Sequence, residues 1–264
     1  MIWPAIPEGV SPWAYYACVA ASVLVTGLSK SGFGGGIGIV AIPLMGAVMP
    51  ARHMLGIQLP VLIVADVLSN LHYLKSYEWR LLRPLLWGAL PGVIAGSVAF
   101  WLLQKSSPAL VQRWLALLIG GICLLLVALQ AWKLFGRRVP TLPTHPASSV
   151  GVGALAGVVS TLSHGAGPLV SLYLLQEKVE KRMLVGTLVF FFLIVNVAKV
   201  PAYAAMGFIN AQTLRDSIWL VPLIPLGTLA GAWLNRRVPE KPFAAILYVA
   251  AAVTAAHMIV SALR

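Results

Sequence analysis

Charge, and acidic charge above all, is what this chain is short of. Its 264 residues hold 7 Asp+Glu against 19 Lys+Arg; charged residues make up 10% of it and hydrophobic ones 59%. A soluble domain carries about 25% charged and about 45–50% apolar residues, so a soluble enzyme, a disordered tail and a fibrous protein are excluded. Two cysteines, Cys18 and Cys123, stand inside apolar runs with no CxxC and no metal-ligand spacing. They read as small buried side chains, and no metal centre is expected. Enzyme motifs are lacking as well: there is no GxSxG, HExxH or Walker loop, and the glycine run after residue 30 follows no strand. Ser163 and His164 are adjacent, which does not by itself make a nucleophile–base pair. The first 29 residues contain Glu8 but no Lys or Arg. A secretory signal opens with a basic region, so the N-terminus reads as part of the mature fold.

What is abundant is apolar sequence. About twenty apolar residues cross a bilayer, so this length holds about eight to ten membrane segments and no sizeable soluble domain. The formal charge of +12 sits in short loops between those segments. Membrane orientation accounts for it, and no basic stripe with interleaved aromatics suggests nucleic acid. The segments are 13–29 and 37–49 around SKSGFGG, then 54–74, 84–103 and 110–132. A polar stretch rich in Pro and basic residues, 133–147, interrupts the pattern. After it come 148–163 and 166–176 around SHGAG, then 184–206, 214–235 and 243–263.

The two halves look like copies. Lys30 to Gly36 lies over Thr161 to Gly167 at an offset of 131, Gly92/Gly96 over Gly227/Gly231 at 135, and Asp66 and Tyr73 over Asn196 and Tyr203 at 130. We therefore expect an N-terminal repeat over 1–135, a basic and proline-rich linker over 136–147 and a C-terminal repeat over 148–264, forming one transmembrane unit.

Basic residues decide how the copies face. If segments 1 and 5 each cross once, Lys and Arg divide almost evenly. If each folds back at its glycine run, one side collects Lys75, Arg80, Arg83, Lys133, Arg137, Arg138, Lys178, Lys181, Arg182, Arg236, Arg237 and Lys241. The other collects Arg52, Lys105, Arg113, Arg215 and Arg264, a bias of twelve to five, with Lys30 and Lys199 inside apolar segments. The second arrangement obeys the positive-inside rule. It makes each repeat an odd set of five segments, so the repeats are inverted, as in many secondary transporters. Both termini then lie outside the cytoplasm of a plasma (bacterial inner) membrane. Segments 1 and 5 are expected to be re-entrant or half-length helices meeting near the midplane.

Backbone that leaves a helix at membrane depth must face protein or a wet cavity. Gly32, Gly34, Gly35, Gly36 and Gly38 permit such a break, and Ser163, His164, Gly165, Gly167 and Pro168 form the second. Helix N-termini at the breaks would attract an anion. Gly92/Gly96 and Gly227/Gly231 read instead as close helix packing. An ionisable group at bilayer depth costs roughly 2.5–3.5 kcal/mol or more and points to function. Lys30 could neutralise an anionic substrate, Asp66 could pair with Lys30 or carry H+ or Na+, and His164 could donate to an oxoanion. Asn196 and Lys199 share a helical face; Asn196 reads as a cavity ligand and Lys199 as serving substrate or structure. Gln58 and Asn70 are weaker polar candidates, and Tyr73 and Tyr203 read as packing or aromatic-belt residues.

The run GLSKSGFGGGIGIVAIPLM near the start resembles the glycine-rich signature of the sulfite exporter TauE/SafE family, also called the toluene-sulfonate uptake permease family. GVVSTLSHGAGPLVSLYLLQ and KRMLVGTLVFFFLIVNVAKVPAY are similar to its matching half, so the resemblance covers roughly 14–263. It implies an integral membrane carrier for sulfur-containing anions such as sulfite, sulfoacetate or other organosulfonates, many members being exporters of the bacterial inner membrane. The family's glycine motifs fall on Gly32, Gly34, Gly35 and Gly36 and on Gly165 and Gly167. Ala166 stands where a strictly glycine motif would continue, so the halves need not contribute equally.

The expectation is an all-α transporter, not an enzyme, exporting a small sulfur-containing anion by alternating access. The alternative is an uptake permease or channel for another organic anion. The substrate site is expected to comprise Lys30, Ser31, Gly32, Phe33, Gly34, Gly35, Gly36, Ser163, His164, Gly165, Gly167 and Asn196, with Asp66, Lys199 and Gln58 in charge pairing or coupling. No cofactor and no nucleic-acid partner are expected; the lipid bilayer is the surrounding partner, and coupling to H+ or Na+ and oligomerisation stay open.

Overall fold

The computed structural model describes residues 6, 9–30, 37–73, 76–134, 145–177, 179–237 and 240–263. The expected residues Ser31, Gly32, Phe33, Gly34, Gly35 and Gly36 lie outside the described residues. Within them, all regular structure is helical. Helix α1 (Pro12–Lys30) is followed by a 3-10 turn (Ile37–Val40) and the short α2 (Ala41–Gly46). Then come α3 (Ala51–His72), α4 (Trp79–Leu103) and α5 (Pro108–Leu134). The second half runs α6 (Pro146–Ser163), α7 (Gly167–Leu174), α8 (Lys181–Ala205), α9 (Ala211–Leu220), α10 (Leu223–Arg237) and α11 (Glu240–Leu263).

Seven helices, in α1, α3, α4, α5, α6, α8 and α11, are long and apolar enough to cross a membrane. Their outer faces are apolar too: Trp87 and Ile94 on α4 and Ile246, Val249 and Val253 on α11 are all more than 60% exposed. Apolar surface on that scale belongs against lipid. The chain is a multi-pass helical membrane protein.

Two hairpins enter the bundle from opposite ends. Near its start, α1 shares a recess with Ile57, early in α3, and its tip residue Lys30 meets Asp66, late in α3. The short α2 then returns to where α3 begins. The other hairpin is α6–α7. Ser149 near the start of α6 hydrogen bonds the Tyr173 hydroxyl near the end of α7 (2.6 Å), so α7 returns to where α6 entered. That entry lies beside the start of α4, where Gly153 touches the Leu85 carbonyl. The tip residue His164 reaches back to the Leu55 carbonyl (3.1 Å), near the start of α3.

Of the two expected forms, re-entrant or half-length, the hairpins are re-entrant, and their tips overlap rather than meet end to end. The entering arms have 19 and 18 residues, about 27–28 Å at 1.5 Å per residue; only the returning arms are short. The tips bind α3 eleven residues apart, at Asp66 and Leu55, so they pass one another by about 16 Å along its axis. The apolar segment 214–235 also differs from expectation, being two helices, α9 and α10, broken at Val221-Pro222. Proline has no N–H and its ring clashes with the preceding turn; the Ile224 N–H bonds back to Val221 across the break (3.0 Å).

Small residues draw the hairpins against the outer helices. An added Cβ at Gly88, Gly92, Gly153 or Gly157 would fall 1.9–2.3 Å from a carbonyl of the facing helix in the α4–α6 pair. Gly27 and Gly227 would do the same at 2.6 and 2.4 Å in the α1–α10 pair. Gly92 and Gly227 therefore serve backbone approach, and Gly96 makes room for the Thr161 side chain of α6, the close helix packing their spacing predicts. The pairing has a regular form: α1 packs on α10 as α6 packs on α4, while α3 packs on α8 and α5 on α11. Cys123 is buried and Cys18 partly so, both as free thiols, and Tyr203 is buried with its hydroxyl donating to the Thr161 carbonyl (2.6 Å).

Candidate functional site

Where the two tips pass, they leave a chamber of about 50 Å³. By that measure a water takes about 10–15 Å³, so the space suits a few waters or one small oxoanion. From the first hairpin its wall takes Thr26, Ser29, Lys30, Gly38 and Ile39; from the second, Ser160, His164, Gly165, Gly167 and Pro168. Leu62 of α3 and Phe192 and Asn196 of α8 close it. Of the expected substrate residues, Lys30, His164, Gly165, Gly167 and Asn196 are thus brought together. Ser163 is buried beside the wall, accepting from the Gly165 N–H (3.2 Å) and donating to the Val159 carbonyl (2.9 Å).

The break between α6 and α7 has a local cause. Helix α6 ends because His164 adopts a left-handed conformation (φ 56°, ψ 7°), the only non-glycine residue with positive φ among the described residues. Histidine visits that region more readily than bulkier residues, yet the conformation is uncommon and strained outside glycine. Helix α7 starts afresh with Gly167 and Pro168 at its first two positions and no side-chain cap. The N–H groups of its first turn lack intrahelical acceptors, and they open beside the chamber.

Behind the wall lies a second layer, formed by the three residues read as charge-pairing or coupling groups. Asp66 is fully buried; one carboxylate oxygen pairs with the Lys30 ammonium and the other accepts from Asn196 Nδ2 (2.7 Å). The Lys30 ammonium also stands 5.0 Å from the centre of the Phe192 ring, a cation–π contact. Lys199 is likewise fully buried, donating to the Ser160 carbonyl (3.1 Å), Ser160 Oγ (3.0 Å) and His164 Nδ1 (3.0 Å). Three acceptors match the three protons of an ammonium. An ammonium only donates and a carbonyl only accepts, so His164 takes Lys199 on Nδ1 and carries its proton on Nε2, toward Leu55. Gln58 stands behind Thr26 and donates to its hydroxyl (3.0 Å). Asn70 donates to the Asp66 carbonyl within α3 (2.9 Å), a local helix contact away from the chamber.

Asp66 offsets Lys30, whereas among the described residues no carboxylate lies within ion-pair distance of Lys199. Two basic side chains and one acidic one flank a chamber whose wall offers hydroxyls, the Lys30 ammonium and an uncapped helix start. That is the electrostatics of an anion site.

Sequence reading missed the hydroxyls. Ser29 and Ser160 line the chamber from opposite hairpins and stand 131 apart, the offset that already relates the two breaks; extending the alignment one residue upstream of Lys30 finds them. Phe192, Ile39 and Leu62 carry no signal that separates them from ordinary apolar packing.

No curated protein and no solved structure matches the chain. A family model described as Sulfite exporter TauE/SafE matches residues 19–258, nearly the whole length and both hairpins. This chain, a multi-pass membrane protein with two hairpins around a small chamber walled in part by Lys30, belongs to the TauE/SafE sulfite exporter family of membrane transport proteins.

Proposed function

We propose that this protein is a secondary transporter that exports a small sulfur-containing anion, such as sulfite or a small organosulfonate, by alternating access. The observation that carries the proposal is the chamber itself: a small cavity between the two hairpin tips, with Lys30, Ser29, Ser160 and the start of α7 on its wall and Lys199 behind it. Such a site holds an oxoanion by direct donors, one of them an ammonium, and by a helix start.

The two hairpins act as the halves of an inverted repeat. Their entry from opposite ends supports that reading, as does the matched packing of α1 on α10 and α6 on α4. Alternating access then exchanges which tip seals the chamber. In this scheme the link from Lys199 through His164 to Leu55 holds the α6 tip in place, and the Lys30–Asp66 pair holds the α1 tip. Anion export runs down an inside-negative potential, worth about 2.3 kcal/mol per charge per 100 mV. Uniport therefore suffices, and Asp66, with both oxygens engaged, serves as a counter-charge; Na+ or H+ coupling would need that carboxylate to be released. The basic residues at the ends of α4, α6, α7 and α10 put those ends in the cytoplasm of the inner membrane and both termini outside it.

Flux of radiolabelled sulfite from proteoliposomes tests the proposal. Lys30→Ala alone strands Asp66, so the informative variant is Lys30→Ala/Asp66→Asn, which removes the pair together. We expect flux above the protein-free background for the wild-type protein and a loss of about tenfold or more for the double variant, the equivalent of about 1.4 kcal/mol of anion stabilisation. Equal flux in both would take Lys30 and the chamber out of the mechanism.

A further inference from the structure

A second recess, of about 420 Å³, opens on the outer side of the bundle between α5 and α11 and shares no residue with the chamber. Its polar side chains are Gln112 and Arg113 of α5 and His257 and Ser261 of α11; no carboxylate lines it, and the rest of the wall is alanine, Gly46 and Met258. Arg113, His257 and Ser261 are exposed. Among the described residues no carboxylate lies within ion-pair distance of Arg113, and neither its guanidinium nor the His257 ring has a hydrogen-bond partner. Gln112 Oε1 accepts from the Arg52 N–H (3.5 Å), which leaves the amide nitrogen of Gln112 to donate elsewhere.

The position of these donors decides what meets them. Both helices are long and apolar enough to cross a membrane. Arg113 lies five residues inside the start of α5 and His257 six before the end of α11, about 8–9 Å from either end. The 27 residues of α5 make about 40 Å, so it overhangs a hydrocarbon core of about 30 Å by about 5 Å at each end. The donors therefore stand where headgroups meet acyl chains, with the exposed apolar side chains of Trp114, Leu118 and Val260 beside them. A free anion would use the donors and leave that apolar flank bare; a phospholipid uses both.

We propose that this recess binds the phosphate of an anionic phospholipid, whose oxygens accept from Arg113, Gln112, His257 and Ser261 while its acyl chains lie along the outer faces of α5 and α11. The planar guanidinium matches phosphate oxygens in pairs, and basic recesses between membrane helices hold lipid headgroups in the same way. With no carboxylate in the wall to receive a headgroup cation, the recess favours a lipid of net negative charge over a zwitterionic one. The floor of the recess is the end of α2: an added Cβ at Gly46 would stand 2.7 Å from Met258 Cε of α11. A bound lipid thus bridges α5 and α11 across the returning arm of the first hairpin.

The test uses the purified full-length protein in a neutral detergent, with binding read from the ligand-concentration dependence of thermal unfolding. The probes are phosphatidylglycerol, phosphatidylcholine of the same acyl chains, and inorganic phosphate. Phosphatidylglycerol should bind at least about fivefold tighter than phosphatidylcholine, the worth of one basic side chain against an anionic headgroup. In Arg113→Gln/His257→Gln that preference should fall below about twofold. Both side chains are exposed, so without lipid the variant should unfold close to the wild-type temperature; should it not fold, Arg113→Gln alone is read in its place. Equal binding of the two lipids to the wild-type protein overturns the proposal, and so does a preference that survives in the variant, which puts the lipid elsewhere. Stabilisation by inorganic phosphate that the variant loses, with no preference between the lipids, makes the recess a site for a free anion and overturns the lipid as its occupant.

Discussion

At the scale of single residues, the site is a set of buried groups that depend on one another. Lys30 and Asp66 illustrate the asymmetry of buried ion pairs: removing one partner leaves an uncompensated charge, at a cost of about 3–5 kcal/mol, whereas removing both is far milder. Thermal unfolding in detergent should therefore rank Lys30→Ala as less stable than Lys30→Ala/Asp66→Asn; the reverse order would mean that the pair seen beside the chamber contributes nothing. His164 gives a second test, because its backbone and its ring make separate contributions. The left-handed conformation (φ 56°) costs an L-residue roughly 1–2 kcal/mol that glycine avoids. Both His164→Ala and His164→Gly lose the bonds to Lys199 and Leu55. The glycine variant should nevertheless be the more stable of the two by about 1 kcal/mol, the opposite of the order expected inside a helix. If alanine proves the better substitute, the break after Ser163 is not held in that conformation.

At the scale of elements, glycine placement decides which helices touch. Gly88 has the Val150 carbonyl where a Cβ would go (1.9 Å), while nothing lies within 4 Å of the Cβ position at Gly121 of α5. Gly88→Ala must push α4 from α6 and should lower stability by several kcal/mol, by analogy with overpacked cores at about 1–3 kcal/mol or more. Gly121→Ala gains helix propensity and should raise stability by about 0.5–1 kcal/mol. Opposite signs in the same unfolding assay are the expected outcome, and a loss at both positions would refute the packing argument. These elements also show what the sequence could and could not tell. The spacing of Gly92 from Gly96 announced a contact face, and the glycine and serine runs announced two breaks, because backbone exposed at membrane depth needs residues of that kind. The split between α9 and α10 was written in Pro222, yet Pro84 and Pro91 stand inside an unbroken α4. Proline alone therefore does not fix a break; what the neighbouring helices offer the freed carbonyls does. The length of the entering arms was legible too, since the apolar segments 13–29 and 148–163 end within two residues of α1 and α6; what hydropathy could not give is where each tip docks, at Asp66 and Leu55 of α3.

At the scale of the whole molecule, the ends of the bundle carry different charges. Arg52 donates to the Met206 carbonyl (2.7 Å), which also accepts from Gln104 (3.2 Å), so the loops bearing Arg52 and Lys105 and the turn after α8 gather at one end. At the other, Arg80 lies 3.5 Å from Glu177, joining the start of α4 to the end of α7 in the more basic set. Orientation by loop charge acts on the cytoplasmic face, so the proposed topology has the Arg80 end inside and the Arg52 end, with Arg113, outside. The opposite insertion would reverse which tip seals the chamber from the cytoplasm, so sidedness bears directly on export. Single-cysteine labelling settles it. In a background with Cys18 and Cys123 replaced by alanine, Arg113→Cys and Arg80→Cys each place a thiol at an exposed position. A membrane-impermeant maleimide added to intact spheroplasts should label Arg113→Cys and spare Arg80→Cys until the membrane is broken. Labelling of Arg80→Cys from outside would turn the molecule over, and would put the α6 tip, held by the Lys199–His164–Leu55 link, toward the cytoplasm.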